Sequence, residues 1–306
     1  MGKNNRQKKS IAIGSIEVRR TDMSIARTAP ESFELQDLVC IELTLRFGFD
    51  RVDRMLVEPE GGEDGSLFTV GPSPRHYEIQ VKGVSGTVTL KNLALWLTHF
   101  PERKSHHMLL ERLITDPDRY LIFVVSGRAS DALAPLVAPP DWAGEDLAVP
   151  PVALAANLLE TFRISEIDGN AKKKLRDDRI AHRKEKAAAI TKAQISSVLR
   201  RTVIVERVTL NHVRNDIGRY LAARGIPNDV LTDVTDRLRA NVGLKRKDGS
   251  DVAPAIAAQI ERDAPTTVMP FNYIGGTEED GWIERARNAS CLLLSGVTRS
   301  GKSFAS

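Results

Sequence analysis

The chain has 306 residues, a length that usually holds about two domains, and its 42% hydrophobic and 27% charged residues exclude a wholly disordered chain. Its formal net charge of +4 is compatible with nucleic acid as a partner without demanding one. The two cysteines, Cys40 and Cys291, sit apart in apolar runs, which excludes a disulfide scaffold and predicts buried, reduced thiols in a cytoplasmic protein. No apolar stretch approaches the roughly 20 residues that cross a bilayer, so no membrane partner is expected.

Residues 1–28 are basic at their start and carry no apolar signal core, and they are expected to be a disordered lead-in. Glu31 to Phe47 has the broad apolar face of a helix, closed by Gly48. Arg51 to Val57 alternates as a strand, and Gly61-Gly62-Glu63-Asp64-Gly65 is a turn. Ser66 to Val70 and His76 to Lys82 read as two further strands, and Thr87 to Leu90 as an extension of the same sheet. Helices follow near Leu90 to Thr98 and His106 to Thr115. Arg119 to Val125 is a buried strand, short, apolar and β-rich, and a helix through Asp131 to Leu136 comes after it. Helix, strands, then helix-strand-helix make a compact α/β unit.

Proline-rich segments at Ala138-Pro139-Pro140 and Pro150-Pro151 mark an expected boundary, giving one domain over 29–150. Residues 151–265 read as a helical connector, with helical spacing over Val208 to Arg224, Asn228 to Val242 and Val252 to Arg262. The charged run from Ala171 to Ala189 mixes both signs and has no interleaved aromatic residues. It therefore reads as a solvated helix face rather than a nucleic-acid track. His106 and His107 are neighbours, which a helix points in different directions, so they read as surface residues rather than ligands.

Tyr77-Glu78-Ile79-Gln80-Val81-Lys82-Gly83 places Gln80 and Lys82 two apart on a strand, hence on one face. That is the second half of a PD-(D/E)xK nuclease pattern in its Gln-x-Lys form. The pattern needs an upstream acid to hold Mg²⁺, and a lysine to position the attacking water or neutralise developing charge. Asp64 is the expected upstream acid and metal ligand, with Gln80 beside it and Glu34 completing the metal site from the first helix. The same loop carries Glu58, Glu60 and Glu63, so the ligand position is open by one or two residues.

Phe33-Glu34-Leu35-Gln36-Asp37-Leu38-Val39, Glu63-Asp64 and Ile79-Gln80-Val81-Lys82-Gly83 resemble the effector nuclease domains of bacterial anti-phage systems. Similar to them are the double-stranded DNA endonucleases associated with cyclic-oligonucleotide signalling and, more distantly, Mrr-type restriction enzymes. The resemblance covers roughly residues 30 to 140. It implies a restriction-endonuclease-like α/β domain, a mixed sheet flanked by helices. It also implies double-stranded DNA as substrate, Mg²⁺ as cofactor, and Glu34, Asp64, Gln80 and Lys82 as the catalytic site.

Near the end, Ser290 to Ser295 reads as an apolar strand that runs into Gly296-Val297-Thr298-Arg299-Ser300-Gly301-Lys302-Ser303, a full G-x-x-x-x-G-K-[ST] match. Backbone N–H groups at Gly296, Ser300 and Gly301 would cradle phosphates, Lys302 would reach the β/γ oxygens of ATP, and Ser303 would ligate its Mg²⁺. The chain stops three residues later, so residues 266–306 are expected to be the truncated start of a P-loop NTPase domain that does not hydrolyse ATP by itself. A nuclease, a helical connector and a P-loop together resemble STAND-type NTPase defence proteins. That layout implies an N-terminal effector controlled by the NTPase, homo-oligomers in the activated full-length form, and a phage-derived trigger sensed by a further C-terminal region.

The preferred reading is thus an Mg²⁺-dependent DNA endonuclease. A second reading is a non-catalytic module that keeps the fold to bind DNA or to dock partners onto the ATPase. A third takes the P-loop as the main feature and expects an ATPase, against which the early end of the chain argues.

Overall fold

The computed structural model describes residues 33–59, 63–84, 86–98, 108–164, 173–246 and 249–264. All of them except Ala264 belong to one compact unit, Met1–Asp263. The phosphate-loop residues Gly296, Ser300, Gly301, Lys302 and Ser303, together with His106, His107 and Cys291, lie outside the described residues.

Helix α1 covers residues 33–47 and is buried on nearly every side from Asp37 to Leu45. It ends at Gly48, whose φ of +85° only glycine adopts without strain and whose N–H donates to the Thr44 carbonyl at 3.1 Å. Three strands follow as a meander: β1 (Val52–Val57), β2 (Gly65–Thr69) and β3 (His76–Lys82). After β3 come β4 (Thr87–Val88), α2 (Leu90–Leu97) and α3 (Leu109–Thr115). Next are β5 (Arg119–Val125), β6 (Arg128–Ala129) and a 3₁₀ turn at Asp131–Leu136. Helices α4 (Val152–Ile164), α5 (Lys173–Ala189) and α6 (Lys192–Arg200) lead to β7 (Thr202–Val205). The unit ends with α7 (Leu210–Ala222), a 3₁₀ turn at Asn228–Val230, α8 (Leu231–Arg246) and α9 (Ala253–Asp263).

The main sheet has five strands in the order β1-β2-β3-β5-β7. The meander is antiparallel, whereas β3, β5 and β7 are parallel, so the sheet is mixed. Alternation along β3 divides its side chains between two faces. Tyr77 and Ile79 face α1, where Tyr77 packs edge-on against Phe47 with ring centroids 5.2 Å apart. The opposite face carries His76, Glu78, Gln80 and Lys82, in register with Arg119, Leu121, Phe123 and Val125 of β5. Leu121, Phe123 and Val125 join α2, α3, α4 and α6 in one continuous apolar core. The β1 edge is covered by the chain itself: the Met55 N–H donates to Asp251 Oδ1 at 2.9 Å, and the Val252 N–H to the Met55 carbonyl at 2.8 Å. This protects the edge from pairing with another chain.

Three expectations need correction. The proline-rich stretch near residue 150 does not separate two units. Core residues Leu154, Leu158, Ile195, Leu199 and Ile204 pack with Leu93 and Leu121, and β7 hydrogen-bonds to β5. The expected helical connector therefore supplies both a strand and one wall of the core. Thr87–Val88 does not extend the main sheet but pairs with Arg128–Ala129 in a separate two-stranded sheet. Asp131–Leu136 is 3₁₀ rather than α, with Pro135 inside it removing one backbone donor.

Candidate functional site

The site forms where α1 crosses the start of β2. A Cβ on Gly65 would lie 2.8 Å from Cys40 Sγ, so a larger residue there would force the Cys40 side chain or the strand to shift. Cys40 is fully buried there, and burial pushes its thiol pKa up. One helical turn before Cys40 stands Gln36, and one residue before Gly65 stands Asp64. The close crossing brings them together: Gln36 Nε2 donates to Asp64 Oδ1 at 2.7 Å. Asp64 is fixed from β3 as well, its backbone N–H donating to the Ile79 carbonyl at 3.0 Å and its Oδ2 accepting from the Val81 N–H at 2.6 Å. Burial raises the Asp64 pKa, opposed by the charge of Lys82 and the Val81 hydrogen bond.

Gln80 and Lys82 project from the same face of β3, as their spacing requires, and Lys82 Nζ donates to Gln80 Oε1 at 2.7 Å. Burial lowers the Lys82 pKa, opposed by attraction to Asp64. Asp64, Gln80 and Lys82 are thus brought together around the β2–β3 pairing, with the ammonium held by the amide and poised near the carboxylate.

Glu34 is placed elsewhere. At about 100° per residue, side chains two apart on a helix leave on nearly opposite sides, so Gln36 facing Asp64 turns Glu34 away. Glu34 instead accepts from Arg214 Nη2 of α7 at 2.7 Å and lies 3.8 Å from Arg239 Nη1 of α8. In the structure Glu34 is thus held by arginines of α7 and α8, on the side of α1 away from Gln36 and Asp64. The neighbouring acids are committed too. Glu58 lies 3.7 Å from Arg246 Nε, and Glu63 accepts from Ser66 Oγ at 3.2 Å and lies 3.4 Å from Arg112 Nη2. Of the acids expected in this loop, Asp64 is the one beside Lys82; Glu60 lies outside the described residues.

The sequence reading passed over several residues. Gln36 was visible only as part of the first helix, and its role needed the Cys40–Gly65 crossing. Asp37, 4% exposed, is held by Arg246 Nη1 at 3.0 Å. Its pKa is raised to about 6 by burial, against the lowering charges of Arg246 and Arg239. The raised value means that the folded state binds more protons than the unfolded one between 3.8 and about 6. This contribution to stability is complete below that window and is lost as pH rises through it. The stability of Asp37→Asn relative to the parent should accordingly increase from about pH 4 to about pH 7 in urea denaturation; a pH-independent difference would contradict the assignment.

The third missed feature is Glu78. It is completely buried and forms ion pairs with Arg112 of α3 and Arg119 of β5. His76, on the same face, stacks on Phe68 and meets Ser66 Oγ at 3.0 Å, its pKa lowered to about 4 first by burial and next by Arg119. This network braces β3 from the side opposite α1, upstream of Gln80 and Lys82.

The resemblance implies an Mg²⁺ ion, which takes oxygen ligands. Asp64 offers a carboxylate whose oxygens each accept one hydrogen bond here, and Gln80 offers an amide oxygen. Gln36 Oε1 is buried and accepts no hydrogen bond among the described residues. An orphaned buried oxygen beside a half-buried carboxylate fits a hard cation. No group of three or more His, Cys, Asp or Glu suited to a metal is found among the described residues. The ion would therefore rest on one carboxylate and neutral oxygens, which predicts modest affinity.

Among the described residues no helix is long and apolar enough to cross a membrane. No known family profile matches the chain, and no curated protein does. Among solved structures, the fold is similar to the Cap4 SAVED/CARF-domain containing receptor of Moraxella osloensis, at 11% identity and a TM-score of 0.40 over 77% of this chain and 49% of that one. It is similar to the Acinetobacter baumannii Cap4 receptor with the cyclic trinucleotide 3'3'3'-cAAA, at 9% identity and a TM-score of 0.41 over 79% and 51%. A further structure of the Acinetobacter baumannii receptor matches at 10% identity and a TM-score of 0.41 over 83% and 56%. The chain spans about half the length of these receptors.

Proposed function

We propose that residues 33–263 form a metal-dependent endonuclease that hydrolyses phosphodiester bonds of double-stranded DNA. The observation that carries this reading is the convergence of Asp64, Gln80 and Lys82 at the β2–β3 pairing, held by hydrogen bonds of 2.6 and 2.7 Å. The mixed sheet flanked by helices supports it, because that is the architecture the resemblance implies.

Bound beside Asp64, Mg²⁺ would lower the pKa of the attacking water and offset charge on the phosphate. Asp64 holds that site from the β2 start, its orientation fixed by Gln36 and the Val81 N–H. Lys82, with its pKa lowered by burial and its Nζ anchored on Gln80, orients the water and neutralises charge as the phosphorus–oxygen ester bond breaks. The water oxygen ends on phosphorus, and its proton leaves through solvent or on the departing oxygen.

A second reading keeps the fold as a non-catalytic module that binds DNA or docks partners. It is favoured by one observation, the low carboxylate count once Glu34 is committed to Arg214 and Arg239. Supercoiled plasmid separates the two. The nuclease reading expects nicked and linear products with Mg²⁺ and none with a chelator. The module expects retarded but uncut plasmid in both.

The same proposal takes Gly296-Val297-Thr298-Arg299-Ser300-Gly301-Lys302-Ser303 as the phosphate loop of a STAND-type NTPase that binds ATP with Mg²⁺ and controls the nuclease. The protein would then act in bacterial anti-phage defence as an oligomer released by a phage-derived trigger. Support for this part is the motif and the apolar run Cys291-Leu292-Leu293-Leu294 that precedes it in the sequence.

A further inference from the structure

We propose that Gln36 is a direct metal ligand, through Oε1, and takes the place on α1 where an acidic ligand was expected. The inference rests on the nuclease reading and goes beyond it by assigning a neutral amide oxygen to the metal. Three observations carry it. Gln36 is the α1 side chain that reaches Asp64, at 2.7 Å. Its amide orientation is set by that contact, because turning the group over would place Oε1 against a carboxylate oxygen that can only accept. With Nε2 so engaged, Oε1 is left buried with no hydrogen-bond partner among the described residues.

A buried amide oxygen without a donor costs about 1–3 kcal/mol, and native folds rarely leave one unexplained. Geometry narrows the explanation. The Nε2 and Oε1 of one amide are bonded to the same carbon, so an oxygen whose partner nitrogen is 2.7 Å from Asp64 Oδ1 lies within reach of a cation that Asp64 also ligates. Oxygen donors from one carboxylate and one amide suit Mg²⁺ or Mn²⁺, which complete their shells with water. The close Cys40–Gly65 approach, where an added Cβ would lie 2.8 Å from Sγ, sets α1 at the depth that keeps Gln36 beside Asp64. Glu34, on nearly the opposite side of the helix, is paired with Arg214 instead.

The experiment is Mn²⁺ binding followed by the electron paramagnetic resonance signal of the free ion, on the parent chain, Gln36→Ala, Gln36→Glu and Asp64→Asn. The parent is expected to bind Mn²⁺, Asp64→Asn to lose it, and Gln36→Ala to bind at least about tenfold more weakly. Gln36→Glu discriminates between ligand and brace. It removes the N–H that orients Asp64 but keeps and charges the ligand oxygen, so it should bind at least as tightly as the parent. It should also be less thermally stable without Mn²⁺ and recover with it. Binding by Gln36→Glu as weak as that of Gln36→Ala would overturn the ligand role, as would parent-like binding by Gln36→Ala. In both cases the nuclease reading survives if Asp64→Asn still abolishes binding. Absence of Mn²⁺ binding by the parent overturns both together.

Discussion

Glu78→Ala should destabilise the unit Met1–Asp263 by about 3 kcal/mol, the lower part of the range for breaking a buried ion pair. Glu78 is 0% exposed, and both of its partners, Arg112 and Arg119, point at the same oxygen. Removing the carboxylate leaves two guanidinium groups at the buried end of their reach, with side chains only 20% and 22% exposed. The loss stays at the lower end because each arginine keeps a second acid. Arg112 retains Glu63 at 3.4 Å and Arg119 retains Asp116 at 3.2 Å. Urea denaturation measures the difference directly. A cost below about 1 kcal/mol, typical of exposed pairs, would mean that the network does not brace β3.

Asp64→Asn should lower plasmid cleavage at least about a hundredfold while leaving stability within about 1 kcal/mol of the parent. The two effects separate because they rest on different properties of the same side chain. Burial raises the Asp64 pKa, so its charge opposes folding rather than supporting it. Asn removes that charge but keeps one acceptor for two donors, Gln36 Nε2 and the Val81 N–H. One lost hydrogen bond and one relieved charge nearly cancel in the fold. For the metal there is no such compensation, since the single carboxylate at the site is gone. Cleavage undiminished in Asp64→Asn would remove Asp64 from the proposed mechanism. A large loss of stability would instead show that Asp64 is held for the fold.

The strands closest to the site were legible because their signals are local. His76 to Lys82 and Arg119 to Val125 were both read with the bounds the structure shows. The spacing of Gln80 and Lys82 determined their shared face before any packing was known. What was not legible depended on contacts far apart in the chain. Thr202–Val205 is four residues long and sits between helices, so the strand is recognisable only through its pairing with β5. That omission made residues 151–265 look separable, when Leu158, Ile195 and Ile204 close the core begun by Leu93 and Leu121. The helix α1 was read correctly as a helix, yet not which of its polar residues faced the site. Glu34, Gln36 and Asp37 are all polar within one turn, and their order around the axis matters only once Cys40 is set against Gly65. The arginines that claim Glu34 and Asp37 come from α7 and α8, about 180 to 210 residues along the chain.

The central claim is that Lys82 serves phosphodiester hydrolysis at the site formed by Asp64 and Gln80. The most direct measurement is the conversion of supercoiled plasmid to nicked and linear forms in Mg²⁺ by the parent chain and by Lys82→Ala. The account predicts cutting by the parent and a loss of about 10²–10³-fold in the variant, with DNA retardation and unfolding midpoint retained. Equal cutting by the two proteins, or none by the parent in any divalent metal while it still retards DNA, would contradict it.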